Sequence, residues 1–338
     1  MKRLLLATTL IALPYAAQAE GTLNIYAWSD SIAPDLIAKF TAETGIQVNV
    51  DGFNSNEDLL TKLQAGASGY DLVTPSQHFV KIMIDQGLLE DIDAHALAAF
   101  QATDPKWRGQ WWDATNDYSI PLAYGTAGFT VNRNAYTGPV DSWKVLFEPE
   151  ADLQGKIAML SYPDEIVGAA QLYLGVPFCT EDSAEMKRVY DLLAAQKPSV
   201  VAYTSDNIEN RIGGGEVAAH FWWDGNSMKT RVNEGAPIEY AMPKEGLVGW
   251  LDSMVVPKGA ANIDNAKAFI DFMTNVDNAT VQYNYYGHSA PMAIDAATAK
   301  YTAENAPELF PTVKVEFSQA CSPAAQDLVT KVWTQLLQ

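Results

Sequence analysis

Thr22-Leu-Asn-Ile-Tyr-Ala-Trp28, followed by Ser29-Asp-Ser-Ile-Ala-Pro34, is the stretch that decides the fold class. Its first seven residues read as a short strand. Ser29 or Asp30 is then placed to cap a helix whose apolar positions Ile32, Leu36, Ile37 and Phe40 recur at helical spacing. Glu43-Thr-Gly45 closes that helix, and Ile46, Val48 and Val50 alternate as a second strand. Glu57 to Ala65, with Leu59, Leu60 and Leu63, gives a second helix, and Tyr70-Asp-Leu-Val-Thr-Pro75 a third strand. Ser76-Gln-His-Phe79 opens a helix that holds Val80, Ile82 and Met83. Alternation of strands and helices predicts an α/β fold with a mainly parallel sheet covered on both faces. Ligands of such sheets sit at the carboxyl ends of strands. Trp28-Ser29-Asp30 and Ser76-Gln77-His78 both fall there, beside helix N-termini whose first backbone N–H groups are free.

The alternation resumes after a Trp-rich stretch, 104–117, that reads as a surface connection. Extended segments at Ser119–Tyr124 and Gly128–Asn132 lead to Lys156–Leu160 as a strand and Glu165–Leu174 as a helix. A helix over 184–195 follows, then Val200–Tyr203 as a strand. Glu216–Trp223 is strand-like and ends in Asp224-Gly-Asn226. Trp250–Val256 is another strand, Asn265–Asn275 an amphipathic helix, and 325–337 a final helix. With no internal repeat and no low-complexity linker, this reads as two α/β lobes joined by extended segments.

At the N-terminus, Met1-Lys-Arg3, the apolar run Leu4–Ala17 and Ala17-Gln-Ala19 before Glu20 form a secretory leader over 1–19. The run is too short and too rich in Thr, Pro and Ala to make a good membrane span. No Cys follows the cleavage point, so no lipid anchor is expected there. The expected product is soluble and exported, with no membrane insertion once the leader is removed. Export permits a disulfide between the two cysteines, Cys179 and Cys321, while two separate buried thiols remain the other reading. The 338 residues carry 41 acidic and 22 basic side chains, a net charge of −19. That excludes a nucleic-acid binder, which needs a Lys/Arg surplus, and favours attraction of cations. Two Cys and four His argue against a dedicated zinc site, and no metal or other cofactor is expected.

Enzyme signatures are missing. There is no G-x-S-x-G elbow and no H-E-x-x-H, and Gly213-Gly-Gly215 lacks the Lys-Ser/Thr of a phosphate loop. A secreted hydrolase built on a carboxylate pair is the remote alternative. The aromatics say more. Trp28-Ser-Asp30, Trp223-Asp-Gly-Asn226 and Trp250-Leu-Asp252 each place an indole beside an acid or amide at the end of a strand pattern. Indole faces attract ammonium groups and a carboxylate supplies the ion pair. An alkyl-ammonium ligand wants aromatic walls along its methylenes and an acid at each charged end.

These residues resemble the periplasmic spermidine/putrescine-binding proteins of ABC-type importers. The resemblance rests on Ile25–Pro34, Tyr70–Ser76, Ser205-Asp-Asn207, Trp223-Asp-Gly225, Pro243–Gly246, Trp250–Ser253 and Gly287–Pro291. It implies a two-lobed periplasmic-binding-protein fold of type II with two hinge crossovers. Residues 20–125 and 249–296 would build lobe 1; residues 126–248 and 297–338 would build lobe 2. It implies Trp28, Trp223 and Trp250 as stacking walls, Ser29, Asp30 and Ser76 as polar contacts, and Glu165 and Asp252 as carboxylates for ammonium ends. Gln319 is a further carried-over contact. His78 and His288 stand where aromatic hydroxyls are usual, Tyr162 where some spermidine binders have a carboxylate, and Asn226 where putrescine-preferring members can carry Asp. Protonated His78 or His288 would repel an ammonium. The implied protein is a monomer that binds a small cationic amine, serves ABC importer permease subunits and catalyses nothing. The alternative ligand is an ω-amino acid such as γ-aminobutyrate, with Arg211 as the candidate cation for its carboxylate. Cys179 and Cys321 would both lie in lobe 2, and a bond between them is expected.

Overall fold

The computed structural model describes residues 21–66 and 69–338; the leader expected over 1–19 lies outside them. The chain begins β1 (Thr22–Trp28), α1 (Pro34–Thr44), β2 (Gln47–Phe53), α2 (Asn56–Gln64), β3 (Leu72–Val73), α3 (Gln77–Asp85), α4 (Ala98–Ala102) and β4 (Ser119–Asn132). Next come α5 (Lys144–Phe147), β5 (Ile157–Met159), α6 (Pro163–Leu174), α7 (Ser183–Gln196), β6 (Val200–Tyr203), α8 (Ile208–Gly213), β7 (Ala219–Trp223), α9 (Asp224–Glu234) and β8 (Ile238–Tyr240). It ends with β9 (Leu247–Val255), α10 (Ile263–Thr274), α11 (Val276–Tyr286), β10 (Val315–Phe317) and α12 (Pro323–Leu337).

Local chemistry sets these boundaries. α1 starts at Pro34 rather than at the expected Ser29 or Asp30, because proline's fixed φ and missing N–H suit the first helical position. Asp30 instead turns the chain with φ 57°. Gly45 ends α1 in the left-handed region and donates to Thr41 O. Ser55 caps α2 by accepting from the Asp58 N–H. Ser76 precedes α3 but its hydroxyl caps nothing there; it is bonded to Asp252 instead.

The strands run in the order β2-β1-β3-β9-β4-β7-β5-β6, with β10 added to β9 and β8 to β4. The parallel pairings expected from the strand–helix alternation occupy the two ends, β2-β1-β3 and β7-β5-β6. The centre is antiparallel. There β4 and β9 pair from Ser119 with Val255 to Ala127 with Val248, while β10, which follows β9 after two helices, returns to β9 as a parallel neighbour.

These two strands each pass from one core to the other. Ile120, Leu122 and Ala123 of β4 and Met254 of β9 pack with Leu23, Ile25, Leu36 and Phe269. Ala127, Phe129 and Val131 of β4 and Leu247 and Val248 of β9 pack with Trp143, Ile157, Phe221 and Leu193. A third group, with Phe53, Leu59, Val80, Leu251 and Val255, covers the other face of the first core. The two lobes therefore meet where β4 and β9 cross.

The stretch 104–117 is not a mere surface connection. Trp112 and Asp113 are buried. Asp113 is tolerated there because its carboxylate accepts from the backbone of Asp117, Tyr118 and Ser119 and from the Ser119 hydroxyl.

Cys179 and Cys321 are bonded, joining the turn after α6 to the start of α12 across 142 positions of sequence. Ser322 continues the fastening: it caps α12 and donates to Glu181. A cross-link over so long a loop removes much conformational freedom from the unfolded chain. The double variant Cys179→Ser/Cys321→Ser should lose about 2–5 kcal/mol of unfolding free energy in a urea titration. Native protein unfolded without reductant should show no free thiol.

Candidate functional site

Asp252 lies on β9 in the crossing region and is 5% exposed. Its Oδ1 accepts from the Ser76 hydroxyl at 2.8 Å, and an isolated bridge joins the two backbones. Ser76 is itself fixed by Asn56, whose side chain donates to the Ser76 hydroxyl and accepts from its N–H. Gln77 ties the same corner together: its oxygen accepts from the Leu251 N–H and its nitrogen donates to Ser318 O. Burial pushes the Asp252 carboxyl up to about 7, against the stabilising bond from Ser76 and the approach of the Trp28 indole N–H. That N–H leans toward Asp252 without meeting any acceptor at bonding geometry.

Glu165 faces the site from the first turn of α6. Both its oxygens accept from the Trp223 indole N–H, at 3.0 and 3.2 Å. Burial pushes this carboxyl up to about 8; the Trp223 bond opposes the shift, and the charges of Asp164 and Asp252 add to it. Neither Asp252 nor Glu165 has a Lys, Arg or His nitrogen within ion-pair distance among the described residues.

Aromatic rings enclose these acids. Trp28 packs on Phe53 and presents its edge to Tyr162, which in turn lies 5.6 Å from Trp223. Tyr162 donates to Asn54 O, joining the first lobe to the second. Trp250 meets the ring of His288 at 4.8 Å, and Tyr286 meets it at 4.6 Å. Trp250 pairs in register with Gly125 of β4. A Cβ on Gly125 would lie 2.6 Å from the Trp250 ring and 2.7 Å from Asp224 Oδ1, so only glycine lets the indole lie across the crossover.

Behind Trp250 is a polar network. His288 Nδ1 lies 2.9 Å from Asp224 Oδ1, and its Nε2 lies 3.1 Å from Asn226 Oδ1. Asp224 also accepts from the Gly225 N–H and from the N–H and hydroxyl of Thr126. Burial holds His288 below the usual imidazole range, although the Asp224 carboxylate opposes this.

The structure thus brings together Trp28, Ser76, Glu165, Trp223, Asn226, Trp250, Asp252 and His288. The others lie apart. Ser29 is exposed at the rim and donates to Asn54 Oδ1. Asp30 is exposed. His78 is buried, with Nε2 3.7 Å from Asp164 Oδ2 on the opposite lobe and Nδ1 unpartnered. Gln319 is exposed just after β10. Arg211 pairs with Glu216 at 3.5 Å and donates to Asp206 O, so its charge is already committed. Sequence reasoning missed Asp224, Tyr286 and Thr126. Asp224 lies inside a motif it did single out, Trp223-Asp-Gly225, without being given a role, and Tyr286 adjoins another, Gly287–Pro291; Thr126 gave no signal. Elsewhere Asp93, His95 and Asp117 approach one another, but His95 spends one ring nitrogen on each carboxylate.

The description "bacterial extracellular solute-binding protein" fits residues 35–311 of the chain. The chain is similar to spermidine/putrescine-binding periplasmic protein 1 of Haemophilus influenzae, with 35% identity covering 76% of this chain and 71% of that one. It is 29% identical to a putrescine/cadaverine-binding protein of Pseudomonas aeruginosa, covering 99% of both. Among solved structures, the substrate-binding protein of a Streptococcus pneumoniae spermidine/putrescine ABC transporter, in complex with calcium and HEPES, superposes with a TM-score of 0.79. That likeness has 27% identity and covers 94% of this chain and 99% of that one. No helix among the described residues is long and apolar enough to cross a membrane.

The buried acids make a stability prediction for the protein without ligand. The folded state holds protons on Asp252 and Glu165 that an unfolded chain has released above about pH 4. Stability should therefore fall as pH rises from about 4 to 8 and level off beyond. Asp252→Asn should be more stable than the wild type at pH 8, by on the order of 2–4 kcal/mol, and nearly equal to it at pH 4. Urea unfolding of both proteins at the two pH values checks this.

Proposed function

The chain belongs to the bacterial extracellular solute-binding protein family, and from that premise we propose that it captures a polyamine between two hinged lobes and delivers it to an ABC-type importer. One observation carries the reading: two buried carboxylates, Asp252 and Glu165, stand without a cation inside an aromatic enclosure. A buried anion without a partner is costly. A linear amine repairs that deficit at each end and leaves its methylenes to the indoles of Trp28, Trp223 and Trp250. Two uncompensated acids match the charge of a diamine, so a putrescine-type ligand is favoured over spermidine. An ω-amino acid would need a free cation for its carboxylate, and Arg211 is engaged with Glu216.

The proposed lobes are 20–125 with 249–296, and 126–248 with 297–338. The two separate cores and the crossings of β4 and β9 support that division. Closure by hinge bending at these crossings brings Tyr162 to Asn54 and His78 to Asp164. The names of the relatives support export to the periplasm and service to membrane permease subunits. The protein works as a monomer, without cofactor, and performs no catalysis; the leader at 1–19 is removed on export.

A thermal-shift panel of putrescine, cadaverine, spermidine, agmatine and γ-aminobutyrate tests the reading, because a ligand that binds only the folded state raises its melting temperature. The diamines should stabilise the protein and γ-aminobutyrate should not. No shift with any amine would overturn the proposal. Asp252→Asn should weaken diamine binding by about 2–5 kcal/mol, the scale for one lost partner of a buried charge pair. Each ammonium also displaces a proton from an acid that titrates near pH 7 to 8. Affinity should therefore rise with pH through that range, and calorimetry in buffers of different ionisation enthalpy should record proton release.

A further inference from the structure

Asn226 is a neutral amide behind Trp250, and what it offers a ligand depends on which end of it faces His288. Its Oδ1 lies 3.1 Å from His288 Nε2, and no other hydrogen bond of its side chain is present among the described residues. Oxygen and nitrogen of an amide have nearly the same shape, so the surrounding donors and acceptors decide its orientation. On the far side of the ring, Asp224 receives the Gly225 N–H, the Thr126 N–H and the Thr126 hydroxyl. Its oxygens act there only as acceptors, so His288 Nδ1 carries a hydrogen toward Asp224 Oδ1.

Two arrangements satisfy the remaining contact. If the ring is neutral, Nε2 is a lone pair that must receive the Asn226 NH2, which turns the amide oxygen away from the ring. If the ring is an imidazolium, Nε2–H donates to Oδ1, and the NH2 turns away. We infer that His288 is a positioning residue whose charge sets whether Asn226 offers an ammonium an acceptor or a competing donor. The inference rests on the amine-binding reading above.

The groups that face His288 are few. Asp224 and Lys229 approach from α9, Tyr286 from the end of α11, and Trp250 from β9, with Asp252 beyond Tyr286. Asp224 favours the charged ring; Lys229 and burial oppose it, and burial is the larger influence. The ring is neutral at pH 7 on this balance, and the amide oxygen is available. Acid charges the ring and withdraws that oxygen, in addition to protonating Asp252 and Glu165. The device would couple amine release to acidification.

Two measurements test this. Nitrogen-15 NMR of histidine-labelled protein without ligand should show a neutral ring protonated at Nδ1 at pH 7.5, identified among the four histidines by its loss in His288→Gln. A ring charged at pH 7.5, or protonated at Nε2 alone, overturns the inference. Glutamine can donate to Asp224 and accept from Asn226 without titrating. Between pH 7.5 and the pH at which the same spectra show the wild-type ring charged, the wild type should therefore lose about tenfold more putrescine affinity than His288→Gln, the worth of about one hydrogen bond to a charged group. Parallel pH profiles for the two proteins would overturn it. Failure of the wild type to bind any amine would instead sink the amine-binding reading and the ligand half of this inference, leaving the ring's tautomer to be read independently.

Discussion

A carboxylate buried without a cation is among the most unfavourable groups a protein interior can hold, and this chain holds two of them at the crossing of its lobes. Asp252 and Glu165 are tolerated because each has a single strong neutral donor, the Ser76 hydroxyl and the Trp223 indole N–H. Those donors are too weak to fix the charge at neutral pH, so both acids sit near the point of titration. Much of the local architecture follows from supporting them. Asn56 orients Ser76, Gln77 clamps β9 to α3 and the C-terminal segment, and Glu165 occupies the first turn of α6, where the helix dipole favours an acid.

The proposed hinge closure would bend the chain at the crossing strands. β4 and β9 carry apolar residues of one core on one stretch and of the other core on the next, with Gly125 opposite Trp250 at the changeover. Away from these strands, polar contacts join the proposed lobes at Tyr162 on Asn54, His78 facing Asp164, and Gln77 on Ser318. Apolar contacts do so too: Met228 packs in one cluster with Tyr283, Tyr301 and Leu309, and Trp107 meets Phe317. A ligand paired with both Asp252 and Glu165 would add charge pairs to these contacts.

Two walls of the site were legible in the sequence because each ends a strand pattern. Trp28 and Trp223 sit where apolar alternation stops, Trp250 lies within β9, and beside all three a nearby acid marks a position that is neither core nor ordinary loop. Glu165 could be placed only by resemblance, since nothing local in Pro163–Glu165 separates a buried acid from a solvated one, whereas Asp252 was marked by the indole two residues before it. The same ambiguity left Asp224 without a role of its own, although Trp223-Asp-Gly225 was singled out; the structure shows it with three donors and the His288 ring nitrogen. Asp113 was hidden in the same way. The antiparallel centre of the sheet was invisible for another reason. Pairing between β4 and β9, more than a hundred residues apart, leaves no periodicity in either strand.

Selectivity follows from the same protonation chemistry that makes the empty site stable. With its acids neutralised, the site offers apolar rings and a few hydroxyl-like donors, and it should hold a sugar or an alcohol no better than water does. An anion finds no Lys, Arg or His nitrogen within ion-pair distance of Asp252 or Glu165 among the described residues. A zwitterion relieves one acid at the expense of burying a carboxylate beside the other. Only a ligand positive at both ends converts both acids to anions and pairs them, releasing protons as it does so. Discrimination thus comes less from the shape of the cavity than from the number of charges a ligand brings, and the indole walls set how far apart those charges lie.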